Sequence, residues 1–139
     1  MAKGEPFSIR LSSTTDRAVD AEARRTRRSK GAIVEALAEE AMRMRRFPGI
    51  AFRGDDARRR PWLIGTGLDL WEIIHMLEDY RSIDRLARES QLTERQVKLA
   101  LAYREAYPSE IAEAIAENRR SAEELRELYP FVEVAEPRR

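Results

Sequence analysis

The chain predicts a mostly α protein. A single N-terminal strand comes first, two helices follow it, and a second small helical unit with a short hairpin closes the chain. Three observations carry this. Residues 6–13, Pro-Phe-Ser-Ile-Arg-Leu-Ser-Ser, alternate apolar and polar with period two, after which the apolar stripes take helical spacing. Phe47-Pro48-Gly49 stops that pattern. Charge also divides: residues 1–60 hold 15 Lys and Arg against 9 Asp and Glu, and residues 61–139 hold 11 against 16. A basic half joined to an acidic half points to a polyanion for the first and a different partner for the second.

Phe7, Ile9 and Leu11 share one face of the strand; Ser8, Arg10 and Ser12 share the other. A lone strand leaves its backbone groups unpaired, and roughly forty helical residues follow it. The cheapest partner is the same strand of a second copy, antiparallel about a two-fold axis. The product is an intertwined dimeric ribbon of two strands whose polar face fits the DNA major groove. Ser8, Arg10 and Ser12 are then the candidate base readers, because a guanidinium bonds guanine O6 and N7 together and a hydroxyl serves either base type. Pro6 cannot donate from its backbone and ends the ribbon. The plain alternative is a solvated strand face.

The first helix is expected from about Thr14 or Thr15 to Arg28. Ser12, Ser13 and Thr14 are competent N-caps, Asp16 suits the first turn, and Thr15, Val19 and Ala23 form a thin inner face. Ser29 caps the second helix, whose stripe is Ile33, Val34, Leu37, Ala38, Ala41 and Met44 and which ends at Arg45-Arg46. Ser29, Lys30 and Gly31, with Arg28 beside them, form the candidate phosphate contact, since a helix start offers free N–H groups and a positive dipole end. Such contacts set register and carry no sequence information. An ordinary capped helix is the alternative. The arginine clusters at 24–28, 43–46 and 58–60 are more often solvated faces than DNA contacts, with 58–60 the best extra candidate because a loop can reach a phosphate.

Strand, helix and helix, with a polar turn at Arg28-Ser29-Lys30, resemble the ribbon-helix-helix repressors of the Arc/MetJ/CopG superfamily over residues 6–46. The inter-helix turn of that family usually carries a glycine and an apolar residue, where this chain has Arg27 and Arg28.

Beyond the break, Ile50-Ala51-Phe52 and Trp62-Leu63-Ile64 flank a charged loop and are expected to form a small hairpin. Gly65-Thr66-Gly67 is a turn. Asp69 caps a helix through Tyr80 with Leu70, Ile73, Ile74 and Leu77 inside; Ser82 caps Ile83 to Ser90. Thr93 and Gln96 form a capping box for a helix through Ala106, with Val97, Ala100 and Leu101 inward. Pro108 opens a further helix carrying Ile111, Ala114 and Ile115. Residues 91–106 have the pattern of a DNA recognition helix exposing Arg95, Lys98 and Arg104, but core packing or dimer contact is favoured in so acidic a half.

The segments Arg60-Pro61-Trp62-Leu63-Ile64-Gly65-Thr66, Leu70-Trp71-Glu72-Ile73-Ile74, Leu92 to Tyr103, and Tyr107-Pro108-Ser109-Glu110-Ile111 resemble a small helix-turn-helix-type domain common in bacterial antitoxin-like proteins, the domain of unknown function four-three-three. Coverage is about residues 50–118. The family usually shows glycine, arginine or threonine, then an isoleucine-proline step, where this chain has Gly67-Leu68-Asp69.

Ser121-Ala122-Glu123-Glu124 has the form of another capping box, predicting a short helix Ala122–Leu128, then an extended Phe131-Val132-Glu133-Val134. Leu125, Arg126, Leu128, Tyr129 and Phe131 are the candidate partner-binding residues; packing back on the second unit is the alternative. The expected division is 1–48 for DNA binding and dimerisation, 49–119 for the helical domain and 120–139 for the tail.

With no cysteine, disulfides and cysteine–zinc sites are excluded. No apolar run reaches the roughly 18 residues of a membrane span, and Met1-Ala2-Lys3-Gly4-Glu5 lacks a signal-peptide core, so a cytoplasmic, nucleoid-associated location is expected. His75 is the sole histidine. No nucleophile–base pair, phosphate-cradling glycine loop or metal set stands out, so no catalytic activity, metal or cofactor is expected. The two resemblances together imply an operator-binding repressor, a homodimer that can pair into a tetramer on DNA, acting as the antitoxin of a toxin–antitoxin pair. The toxin of similar systems is often a PIN-type ribonuclease with an acidic metal site, into which an arginine often enters; Arg126, Arg138 and Arg139 are candidates by position. The alternatives are a stand-alone repressor or DNA-partition organiser whose second domain drives assembly, and a scaffold that never touches DNA.

Overall fold

Proline, glycine and cap residues cut the helix-forming runs of this chain into a defined order of elements. The computed structural model describes residues 3–128, with residues 57, 120–126 and 128 given by backbone alone. The elements are α1 (Ser13–Thr26), α2 (Lys30–Arg46), β1 (Ile50–Arg53), a 3-10 turn (Asp56–Arg58), β2 (Arg60–Leu63), α3 (Leu70–Tyr80), α4 (Ile83–Glu89), α5 (Glu94–Ala106) and α6 (Pro108–Leu128). The described chain is thus mostly helical, with one two-stranded antiparallel sheet. It divides into two compact units, residues 1–43 and 44–139, and α2 runs through the division.

In the first unit, residues 3–12 take no regular secondary structure within the single chain. Ser12 caps α1, its hydroxyl accepting from the Thr15 N–H at 3.5 Å and donating to Thr15 Oγ1 at 3.0 Å. The helix stops at Thr26, two residues before the expected Arg28, because Arg27 turns left-handed (φ 54°, ψ 37°) and sends its N–H back to the Ala23 and Arg24 carbonyls. An arginine therefore occupies the backbone conformation that glycine takes at no steric cost. Ser29 caps α2 as expected, accepting from the Ala32 N–H at 3.1 Å. Val19 and Ile33 are buried and Val34 is half-buried, but the stripe is open from Leu37 on: Leu37 is 52% exposed and Met44 39%.

The second unit builds a core of its own. Ile50 pairs with Leu63 and Phe52 with Pro61 across the hairpin, and the turn after β2 is held by Thr66, which donates to the Leu63 carbonyl at 2.8 Å. Asp69, 5% exposed, joins the hairpin to α3. Its carboxylate accepts from Arg53 Nε at 2.8 Å and from Arg60 Nε at 2.6 Å, while its own N–H donates to Glu72 at 3.1 Å. The Arg53 guanidinium lies 4.9 Å from the Trp62 ring centre. Ser82 and Thr93 cap α4 and α5 as their residue types dictate, Thr93 and Gln96 completing a reciprocal box. Leu70, Ile73, Ile74, Leu86, Val97, Ala100, Tyr103 and Ile111 pack inside. Tyr103 is fully enclosed against Phe47 and Tyr107, ring centres 5.3 and 4.9 Å away, and its hydroxyl donates to Glu110 at 3.0 Å.

One expected start is absent. Ser121 opens no new helix: α6 runs unbroken from Pro108 through Leu128. A capping box is a local signal, and nothing between Ile115 and Ser121 ends the preceding helix, since Ala116-Glu117-Asn118-Arg119-Arg120 contains neither proline nor glycine.

Two predictions follow from these contacts. Asp69→Ala removes the buried acceptor of two arginines and the cap of α3; a loss of about 2–3 kcal/mol is expected in urea unfolding, discounted for the partial exposure of both guanidinium groups. Arg27→Gly relieves the left-handed arginine and should gain about 0.5–1 kcal/mol in the same assay.

Candidate nucleic-acid interface

An apolar side chain left in water signals a missing surface, and the first unit has several. Phe7 is 84% exposed, Ile9 58% and Met42 63%. The arm of residues 3–11 and the face of α2 bound a groove of about 1250 Å³, whose apolar lining includes Phe7, Ile9, Leu11, Val34, Ala38 and Met42. At the outer end the arm is tied to α2, with Lys3 Nζ 2.9 Å from both Glu35 oxygens.

Three of the candidate DNA-contacting residues line this groove. Arg10, Lys30 and Gly31 line it together, and Ser8, Arg28 and Ser29 are exposed. Arg10 lines the groove together with Phe7, Ile9 and Leu11, whereas Ser8 does not line it, so within the single chain the arm does not separate a polar from an apolar face. Ser12 is not a strand residue, because its hydroxyl is taken up by the α1 cap. Ser29 is likewise a cap, but a cap at a helix start still leaves neighbouring N–H groups directed outward for an anion.

Lys30 carries a feature that residue-by-residue reading missed. Its ammonium is hydrogen-bonded to Asp16 and lies 3.5 Å from Asp20, both on α1. The hydrogen bond that Lys30 donates to Asp16, reinforced by the charges of both acids, raises the Lys30 pKa above the ordinary 10.5. The signal was present in the spacing of Asp16 and Asp20, one helical turn apart, but only the tight α1–α2 turn brings Lys30 to that face.

The hairpin arginines are committed to the fold rather than arrayed for phosphates. Arg53 and Arg60 hold Asp69, and Arg59 donates to the Gly54 carbonyl at 3.0 Å and the Phe52 carbonyl at 3.2 Å. Of the cluster 58–60, Arg58 is exposed, with its backbone N–H donated to the Asp55 carbonyl. On α5, Val97, Ala100 and Tyr103 are buried and Lys98 pairs with Glu94 at 2.9 Å, a packing helix in the first instance. His75 is half-buried, 3.9 Å from Glu78. Among the described residues no group of His, Asp and Glu is placed to hold a metal, and no helix is long and apolar enough to cross a membrane. Of the candidate partner-binding residues, Leu125, Arg126 and Leu128 fall in the last turns of α6; Tyr129 and Phe131 lie outside the described residues. No family model, no curated protein and no solved structure matches this chain.

The Lys30 pair sets an alkaline limit. A raised folded-state pKa contributes stability in full below the unfolded value of 10.5, and the contribution fades as pH rises through the folded value. The difference in melting temperature between the wild type and Lys30→Met should therefore be constant well below pH 10.5 and shrink as the pH rises beyond it.

Proposed function

We propose that this chain is a homodimeric DNA-binding repressor whose N-terminal arms pair across a two-fold axis and enter the major groove. The observation that carries the reading is the exposed apolar edge of the arm, Phe7 and Ile9, beside an uncovered α2 stripe. A second copy supplies what both lack: its arm gives the backbone partners, and its α2 covers Leu37 and Met42. Each such side chain gains about 1.5–3 kcal/mol when fully buried, so four per protomer offset much of the cost of association. In the paired state Ser8 and Arg10 share the face turned to the bases, and Ser29, Lys30, Gly31 and Arg28 meet the flanking phosphates. Ser12 is assigned to capping in this scheme. The net positive charge of residues 1–60 supports the same partner.

The second unit serves a protein partner in this reading, and the pair is a toxin and its antitoxin. What supports it is the acidic balance of residues 61–139 and the apolar residues Leu125 and Leu128, which α6 carries to the end of the described chain. The reading rests on the resemblance drawn from the sequence, and the partner it implies is a ribonuclease toxin.

Ile9→Asp should turn the dimer into an unfolded or monomeric first domain in sedimentation analysis of the full chain; an unchanged dimer would remove the arm from the interface. Arg10→Ala should cost about 1–3 kcal/mol on a selected duplex and relax base preference at one position per half-site. Equal affinity and equal preference would exclude the arm as the reader. For the antitoxin role, deletion of residues 121–139, which removes Leu125 and Leu128 with the rest of the tail, should spare duplex binding and abolish neutralisation of the product of the adjoining reading frame on co-expression. Full neutralisation by the truncated chain would move the partner surface to α3–α6.

A further inference from the structure

We infer that Asp16 and Asp20 form a built-in competitor for Lys30, so that duplex binding exchanges an internal carboxylate for a DNA phosphate. The inference rests on the DNA reading above and concerns how strongly that surface holds any duplex. Asp16 and Asp20 lie one turn apart on α1, on the side that meets the start of α2, and both reach the Lys30 ammonium. Two carboxylates around one ammonium leave the spot with a net charge of −1, with the cations Arg27 and Arg28 in the adjoining turn. A phosphate arriving at the α2 start must therefore draw Lys30 away from Asp16 or accept two nearby negative charges. Both routes weaken a contact that is blind to sequence, while the reading by Ser8 and Arg10 is untouched. The acids thus lower affinity for all duplexes alike and leave discrimination to the arm. They are positioning residues, acting through Lys30. Exposed ion pairs of this kind are weak individually, so the exchange remains reversible at ordinary salt.

The test uses the full chain and a mixed-sequence duplex of about thirty base pairs, titrated at several salt concentrations. Asp20→Asn and Asp16→Asn/Asp20→Asn should raise affinity by roughly five- to thirtyfold at about 50 mM salt, with the gain falling towards unity near 0.5 M as screening shortens the reach of each charge. The salt dependence should steepen accordingly. In a Lys30→Ala background the same substitutions should gain severalfold less than in the wild type, because only plain repulsion of the phosphate is then relieved and the competition for Lys30 is gone. Circular dichroism melts check folding, and Asp20→Asn alone suffices should the loss of Asp16 from the first turn of α1 weaken that helix. No gain in the wild-type background, or the same gain with and without Lys30, overturns the exchange and leaves the DNA reading standing. Failure of the wild type and every variant to bind at the lowest salt overturns the DNA reading itself, and the exchange with it. Binding by the double variant where the wild type binds weakly is the strongest support.

Discussion

The backbone of residues 6–11 is the constraint on which the account of this molecule turns. An alternating segment has donors and acceptors on both edges, and within the single chain it sits in no sheet. The first unit, residues 1–43, buries Val19 and Ile33 and leaves Phe7, Ile9 and Leu37 in water. Below about 40 residues a domain rarely stabilises itself without disulfides, metals or a second copy, and this chain has no cysteine. The proposal of a two-fold pairing answers both needs at once, and it places Arg10 and the α2 start where a polyanion meets them.

The second unit has no comparable deficit. Its hairpin, too small to persist alone, is fastened to α3 by one buried carboxylate shared between Arg53 and Arg60. Phe47 meets Tyr103 and Tyr107 edge to face and closes one side of the core with them, and each of α3, α4 and α5 begins with a residue suited to capping. Arginines that seem to offer charge to a partner are here structural parts. A count of basic residues therefore overstates the charge that residues 53–60 offer to a partner, and the proposed polyanion surface is confined to the arm and the α1–α2 turn.

Much of the fold was legible because capping is local. Ser29, Asp69, Ser82, Thr93 and Pro108 each marked a helix start that the structure contains, and the apolar runs around residues 50 and 62 marked the hairpin to within two residues. What stayed hidden depends on three dimensions. Arg27 gives no sign that it will turn left-handed, since that conformation is normally announced by glycine. The partners of Arg59 and Arg60 depend on hairpin register, and those of Lys30 on the angle between two helices. Ser121 misled for the opposite reason: its local pattern was right for a cap, but the helix before it had no cause to stop. At the candidate interface, residue types pointed to Arg10, Ser29 and Lys30, and the acids that restrain Lys30 emerged only from the packing.

The central claim is that the arm pairs with its own copy, and the absence of native cysteine allows a direct measurement of it. A single nitroxide label on Ser8→Cys, read by pulsed dipolar spectroscopy on the full chain, reports the separation of the two arms. In an antiparallel ribbon centred near Ile9 the labelled residues lie within a few strand spacings of each other, so one narrow distance below about 20 Å is expected. A long or broad distribution, or no coupling at concentrations where the chain sediments as a dimer, would contradict the ribbon and the DNA-binding account built on it.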